Sequence, residues 1–213
     1  MGAVTVDELM STGPVIPALT IERLADAAPL ARALVEGGLR PFEITLRTAC
    51  ALEAIAVIAR EVPDAIVGAG TVLNAGDFEA AVQAGARFIV TPGLTDALIA
   101  AARSNGTAFM PGVATASEVM RGLDAGFSRF KFFPAESVGG IGALKALYGP
   151  LAACRFCPTG GVTAATAQAW LALPNVPCVG GSWVAPADAI AAGDWPRITA
   201  LARAAAALGG TPA

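Results

Sequence analysis

Residues 66–93 read IVGAGTVLNAGDFEAAVQAGARFIVTPG. Two short apolar runs, Ile66–Val72 and Phe88–Gly93, close on Thr, Gly or Pro. Between them AGDFEAAVQAGA carries apolar residues at helical spacing and stops at glycine. Hydrophobicity that is nearly continuous, without strict alternation, marks a strand buried on both faces. Strand, helix and second strand together make one parallel crossover unit.

The unit repeats in both directions. Similar runs are Val15–Thr20, Phe42–Leu46, Ala108–Val113, Arg129–Ala135, Arg155–Gly161 and Val176–Trp183. Successive runs start roughly 20–27 residues apart, enough for one helix in each gap. IERLADAAPLARALVEGG, ACALEAIAVIAREVP, LTDALIAAARSNG, TASEVMRGLDAG and TAATAQAWLAL fill those gaps with a helical period. Gly37-Gly38 supplies a stop signal, and Thr163 with Thr166 a cap. IAAGDWPRITALARAAAAL is expected as one final helix, with 209–213 frayed beyond it. The pattern predicts a single domain over 1–213, an α/β protein built as one (β/α)8 TIM barrel with an extra N-terminal helix. An open doubly wound sheet is the runner-up; against it, no G-x-G-x-x-G opens a helix after the first strand.

Composition narrows the chemistry. The chain has 213 residues, 55% hydrophobic and 15% charged, as an ordered protein with one core requires. Its net charge is −3 and it has no basic run, so neither nucleic acid nor an anionic membrane is an expected partner. There is no histidine. Ser-His-Asp and Cys-His catalysis are therefore excluded, as are histidine-ligated zinc or iron sites. Any general base must be Asp, Glu, Tyr, Cys or Lys. Cys154 and Cys157 form a C-x-x-C that brackets an apolar strand rather than opening a helix, and they read as buried structural thiols. MGAVTVDELMSTGP has neither the basic start nor the apolar stretch of a secretory signal, and Val6 stands where a myristoylation motif has Ser or Thr. No run approaches the ~18 apolar residues that span a bilayer. A cytoplasmic protein is expected.

In a barrel, catalytic groups sit at the C-terminal ends of strands. Lys131, in RFKFFPA, is one of only two lysines and is flanked by Phe130, Phe132 and Phe133. Desolvation among aromatic side chains favours a neutral amine, the form that attacks a carbonyl. Lys145, in GALKALYG, is the solvated counterpart. Glu43, in FEITLRT, is a carboxylate inside an apolar strand. It reads as a proton relay for imine chemistry, with a structural ion pair to Arg47 as the alternative. Arg47 has the planar fork that suits the carboxylate of a 2-oxo acid. Thr71 and Pro92 occupy the exits of strands three and four. Thr159-Gly160-Gly161 and Gly180-Gly181-Ser182 close strands seven and eight, where such barrels commonly bind phosphate through backbone N–H groups. Phe133 and Gly181 complete the expected substrate-binding set.

GPVIPAL, FEITLRT, IVGAGTVLN, TPG, KFFPAE, CPTGGV and VGGSW, taken together, resemble the class I 2-keto-3-deoxy-6-phosphogluconate (KDPG) and 4-hydroxy-2-oxoglutarate (KHG) aldolase family over about residues 9–208. The resemblance implies a homotrimeric (β/α)8 lyase. It implies reversible cleavage of the phosphorylated 2-oxo sugar acid to pyruvate and glyceraldehyde 3-phosphate, in the Entner–Doudoroff route, without metal or organic cofactor. It places the Schiff-base lysine on Lys131 and the proton-transferring glutamate on Glu43. It places carboxylate contacts on Arg47 and Thr71, and the phosphate loops on Gly160, Gly161 and Ser182. Leu46-Arg47-Thr48 favours the gluconate over the galactonate type. A phosphosugar isomerase or epimerase on the same barrel, with Glu43 as base, is the reading from another class; a barrel that only binds phosphosugar is a third.

Overall fold

The structure, a computed structural model, describes residues 4–209. Of the expected frayed end only Gly209 falls within it, and its carbonyl accepts a hydrogen bond from Gln168 Nε2 at 3.0 Å.

The first half runs α1 (Val6–Ser11), β1 (Val15–Leu19), a 3-10 turn (Leu24–Asp26), α2 (Ala27–Glu36), β2 (Pro41–Thr45), α3 (Ala51–Glu61), β3 (Ile66–Gly70), α4 (Ala75–Gln83), β4 (Phe88–Val90) and α5 (Asp96–Asn105). The second half runs β5 (Ala108–Met110), β6 (Gly112–Val113), α6 (Ala116–Asp124), β7 (Arg129–Phe132), α7 (Gly140–Tyr148), β8 (Arg155–Pro158), α8 (Ala167–Leu171), β9 (Val179–Gly181), α9 (Ala187–Ala192) and α10 (Trp195–Ala206). The strands form a curled, all-parallel sheet in two segments, β5-β4-β3-β2-β1-β9 and β6-β7-β8.

Two expectations need correction. The run Ala108–Val113 is not one strand, because Pro111 stands between β5 and β6 with no N–H to give the ladder. Its carbonyl still accepts from Lys131 N at 2.9 Å. The expected single C-terminal helix is two. Gly193 adopts φ 67° and ends α9; Asp194 then caps α10 by accepting from Arg197 N, with Pro196 in the first turn.

The strands also stop earlier than their apolar runs. β3 ends at Gly70, β4 at Val90, β7 at Phe132 and β8 at Pro158. The Thr, Gly and Pro residues that close each run are thereby released into loops at one end of the sheet. Every residue of β2 and β3 is buried, as parallel strands covered on both faces require. The main core lies between sheet and helices. A second cluster, from Ile16, Ile66, Phe88, Val90, Met110, Cys157 and Cys178, is covered by Leu9 and Met10 of α1. The same helix is tied to β7 by an ion pair between Asp7 and Arg129. Among the described residues no helix is long and apolar enough to cross a membrane.

All four cysteines are free, with Cys154, Cys157 and Cys178 buried. Burial pushes the Cys154 thiol up. A hydrogen bond with Cys157, then burial, holds the Cys178 thiol well above the usual range.

Candidate active site

Lys131 on β7 and Glu43 on β2 point into the curl of the sheet and meet there. Lys131 Nζ lies 2.9 Å from Glu43 Oε1, and the two residues are 6% and 3% exposed. The Glu43–Arg47 pair weighed from the sequence does not form; the lysine takes the carboxylate instead. Lys145, by contrast, is exposed on α7. Removing two charges from water is costly, and Glu43 Oε2 adds to the cost by having no hydrogen-bond partner among the described residues. A pair buried at that cost at the edge of a cavity is a candidate for chemistry.

Neighbouring strands shape themselves around this pair. Gly112 is the register partner of Lys131. A Cβ at Gly70 would stand 2.6 Å from Glu43 Oε2, so β3 leaves that volume to the carboxylate. The Phe133 ring centroid lies 5.3 Å from Lys131 Nζ, a favourable cation–π placement.

The pair forms the floor of a cavity of about 380 Å³. Arg47, Phe133, Thr159, Gly160, Gly161, Gly181 and Ser182 all line it, as their positions in the sequence suggest. Thr71 and Pro92 are not in the lining. Thr71 acts at one remove, its Oγ1 accepting from Arg47 Nε at 3.0 Å. It holds that position at φ 57°, a left-handed conformation strained for a β-branched residue. Pro92 backs onto β6, its carbonyl filling the space a side chain at Gly112 would need.

Gly160 and Gly161 adopt φ 97° and 85°, which only glycine accepts readily. Gly180 and Gly181 serve a second purpose, since side chains there would overlap Thr159 Oγ1 and the Trp183 ring. Ala18, Leu19 and Thr20, at the end of the first apolar run, also line the cavity, whereas sequence reading missed Thr45 and the start of α9. Thr45 is buried beside Glu43's strand exit, donating to Leu19 O at 3.0 Å and standing 2.9 Å from Thr20 Oγ1. Its hydroxyl among the apolar residues of FEITLRT was the available signal. Ala185, Pro186 and Ala187 bring the first turn of α9 to the cavity, beside Ser182.

A buried amine held against a carboxylate, beside a guanidinium and two glycine loops on a parallel α/β frame, is the equipment that imine chemistry on an anionic carbonyl compound requires, the chemistry of class I aldolases. Comparison with known proteins agrees. A family model described as "KDPG and KHG aldolase" matches residues 6–201, and the chain belongs to that family. It is 52% identical over 197 residues to the KHG/KDPG aldolase of Escherichia coli, covering 92% of each chain. The 2-keto-3-deoxy-6-phosphogluconate aldolase of Zymomonas mobilis, solved with 3-phosphoglycerate, superposes with TM-score 0.93 at 51% identity, covering 97% of both chains. The KDPG aldolase of Legionella pneumophila, with pyruvate captured as a covalent carbinolamine, gives TM-score 0.92 at 45% identity, covering 93% of this chain and 97% of that one.

Proposed function

We propose that this chain cleaves 2-dehydro-3-deoxy-6-phosphogluconate reversibly to pyruvate and D-glyceraldehyde 3-phosphate, with Lys131 as nucleophile and Glu43 as proton relay. The observation that carries the reading is the 2.9 Å contact between Lys131 Nζ and Glu43 Oε1 on the cavity floor. The same pyruvate half-site serves 4-hydroxy-2-oxoglutarate, with glyoxylate as the aldehyde product.

Transfer of the ammonium proton to Glu43 along that contact frees the Lys131 amine to attack the C2 carbonyl. Glu43 returns a proton to the carbinolamine oxygen, water leaves, and a protonated imine forms. Arg47, held by Thr71, pairs with the substrate carboxylate, while the loop Thr159–Gly161 with Gly181 and Ser182 receives the phosphate. Glu43 takes the C4 hydroxyl proton. The C3–C4 bond breaks, its electrons move into the imine, and the aldehyde departs from an enamine. Protonation at C3 and hydrolysis release pyruvate and restore the amine. Phe133 forms one wall of this path. Pro92, outside the lining, acts by shaping β6 beneath Lys131.

The same reading extends to architecture. β5 and β6 are proposed as one barrel strand interrupted at Pro111, which joins the two sheet segments on that side. The bridge between Thr159 and Gly180 supports closure on the other, giving a complete (β/α)8 barrel with α1 as the extra N-terminal helix. A cytoplasmic homotrimer in the Entner–Doudoroff route is the proposed setting, supported by family membership; a stable monomer in light scattering would overturn the assembly.

Pyruvate and borohydride test the chemistry. A reduced adduct located by peptide mass spectrometry on Lys131, and not on Lys145, is the expected result. No adduct from folded protein overturns the imine mechanism.

A further inference from the structure

The segment that carries Lys131 continues past the cavity through Phe133, Pro134 and Ala135 to Glu136. Glu136 is exposed and does not line the cavity, yet its side chain has a fixed seat. Trp170 on α8 has no exposed surface, and its indole Nε1 donates to Glu136 Oε1 at 3.2 Å. A buried indole N–H without an acceptor is unfavourable, so the core itself holds the glutamate in place.

Gly161 lies against the stem of that side chain. A Cβ at 161 would overlap Glu136 Cγ and stand 2.7 Å from Glu136 Cβ. The backbones are laced together as well, Ala135 N donating to Thr159 O at 2.8 Å and Glu136 N to Gly160 O at 3.1 Å. Gly160 and Gly161 have no side chains to pack, so the position of their loop depends on the surface beneath it. Beneath Gly160 that surface is Phe133 and Pro134, beneath Gly161 it is Glu136, and all three belong to the same chain segment as the nucleophile.

We propose that Glu136, locked by Trp170, is a positioning residue. It fixes the distance between the Gly160–Gly161 loop and Lys131, and so makes the site select substrates that carry a phosphate at the end remote from the carbonyl. This deepens the proposed function and rests on its assignment of that loop to the phosphate.

The test runs one set of variants on two substrates, phosphorylated 2-dehydro-3-deoxy-6-phosphogluconate and unphosphorylated 4-hydroxy-2-oxoglutarate, together with borohydride trapping of pyruvate. Glu136→Ala is expected to raise KM for the phosphorylated substrate by about 10-fold or more, the scale at which sub-ångström misplacement acts. KM for 4-hydroxy-2-oxoglutarate and the trapping rate at Lys131 stay near wild type. Glu136→Gln keeps both the acceptor for the indole and the stem under Gly161, and restores the lost affinity. Trp170→Phe keeps most of the ring bulk, removes the donor, and reproduces a smaller loss confined to the phosphorylated substrate. Equal losses on both substrates, or none, overturn the proposal; if Glu136→Ala does not fold, Trp170→Phe decides by the same criterion. A wild-type protein that traps pyruvate but does not cleave the phosphorylated substrate overturns the proposed function along with it. One that cleaves both, without a selective loss in the variants, overturns this inference alone.

Discussion

Glu43 and Lys131 stand 88 positions apart in the chain and 2.9 Å apart in the fold, carboxylate against amine inside the curled sheet. Among the described residues Lys131 is the one hydrogen-bond partner of the Glu43 carboxylate, because Oε2 has none. Removing one partner therefore strands a buried charge.

Lys131→Met is expected to abolish the pyruvate adduct and to lower stability by about 3–5 kcal/mol, the usual effect of leaving a buried partner unpaired. The double variant Glu43→Gln/Lys131→Met should recover much of that stability without recovering activity. Urea denaturation of both singles and the double measures the coupling. Additive losses would mean that the pair is not an energetic unit.

Glu43→Gln preserves shape and removes the proposed proton relay. kcat should fall by about 10²–10⁴-fold, the range for a lost general acid–base. Borohydride trapping should slow yet still mark Lys131. A variant with wild-type kcat would assign proton transfer to another group.

Thr71 holds Arg47 from a strained backbone. Thr71→Gly should relieve a strain of roughly 1–3 kcal/mol, less the entropy glycine adds to the unfolded chain, while raising KM for pyruvate-derived substrates. Thermal unfolding and kinetics on the one variant suffice. A Thr71→Gly protein with unchanged KM would remove the threonine from carboxylate binding.

Cys178 links stability to alkaline pH. Its thiol is held well above the usual range by the hydrogen bond with Cys157 and by burial. In the unfolded chain a thiol ionises near about pH 8.5. Above that pH the unfolded state has released a proton that the folded state retains, so stability falls as pH rises; below it the contribution is fully present. Cys178→Ala should flatten this alkaline loss in urea titrations run at several pH values, leaving a residual slope from Cys154. Identical slopes in the two proteins would place the pH dependence elsewhere.

Much of this organisation could be read before any coordinates. Lys131 and Glu43 stood out because a charge within an apolar strand demands a reason, and the parallel order of the sheet followed from runs without alternation. Other features left weaker traces. Pro111 sits within an apolar run whose hydrophobicity continues across it, so the run reads unbroken although the ladder is not. Gly193 lies in an alanine-rich stretch whose period hides the break between α9 and α10. Paired glycines read as room for an anion. At 161, 180 and 181 they also make room for Glu136, Thr159 and Trp183, a demand set by distant residues and invisible in local pattern. Thr71 and Pro92 looked equivalent as strand exits, but strand endings alone do not say which exit faces the cavity.

The close approaches at Gly161 and Gly181 in the cavity wall, and at Gly70, Gly112 and Gly180 behind it, divide the site into two kinds of ground for variation. Where a glycine meets a neighbouring group at contact, any larger residue collides with the catalytic frame, and random libraries there should return few survivors. Ala18, Thr20, Ala187 and Ile190 line the same space without being members of the amine–carboxylate pair or the glycine loops. Lineages or laboratory selections that change the accepted aldehyde therefore have a short list of places to do so, and a retuned enzyme should carry its changes along that side of the wall.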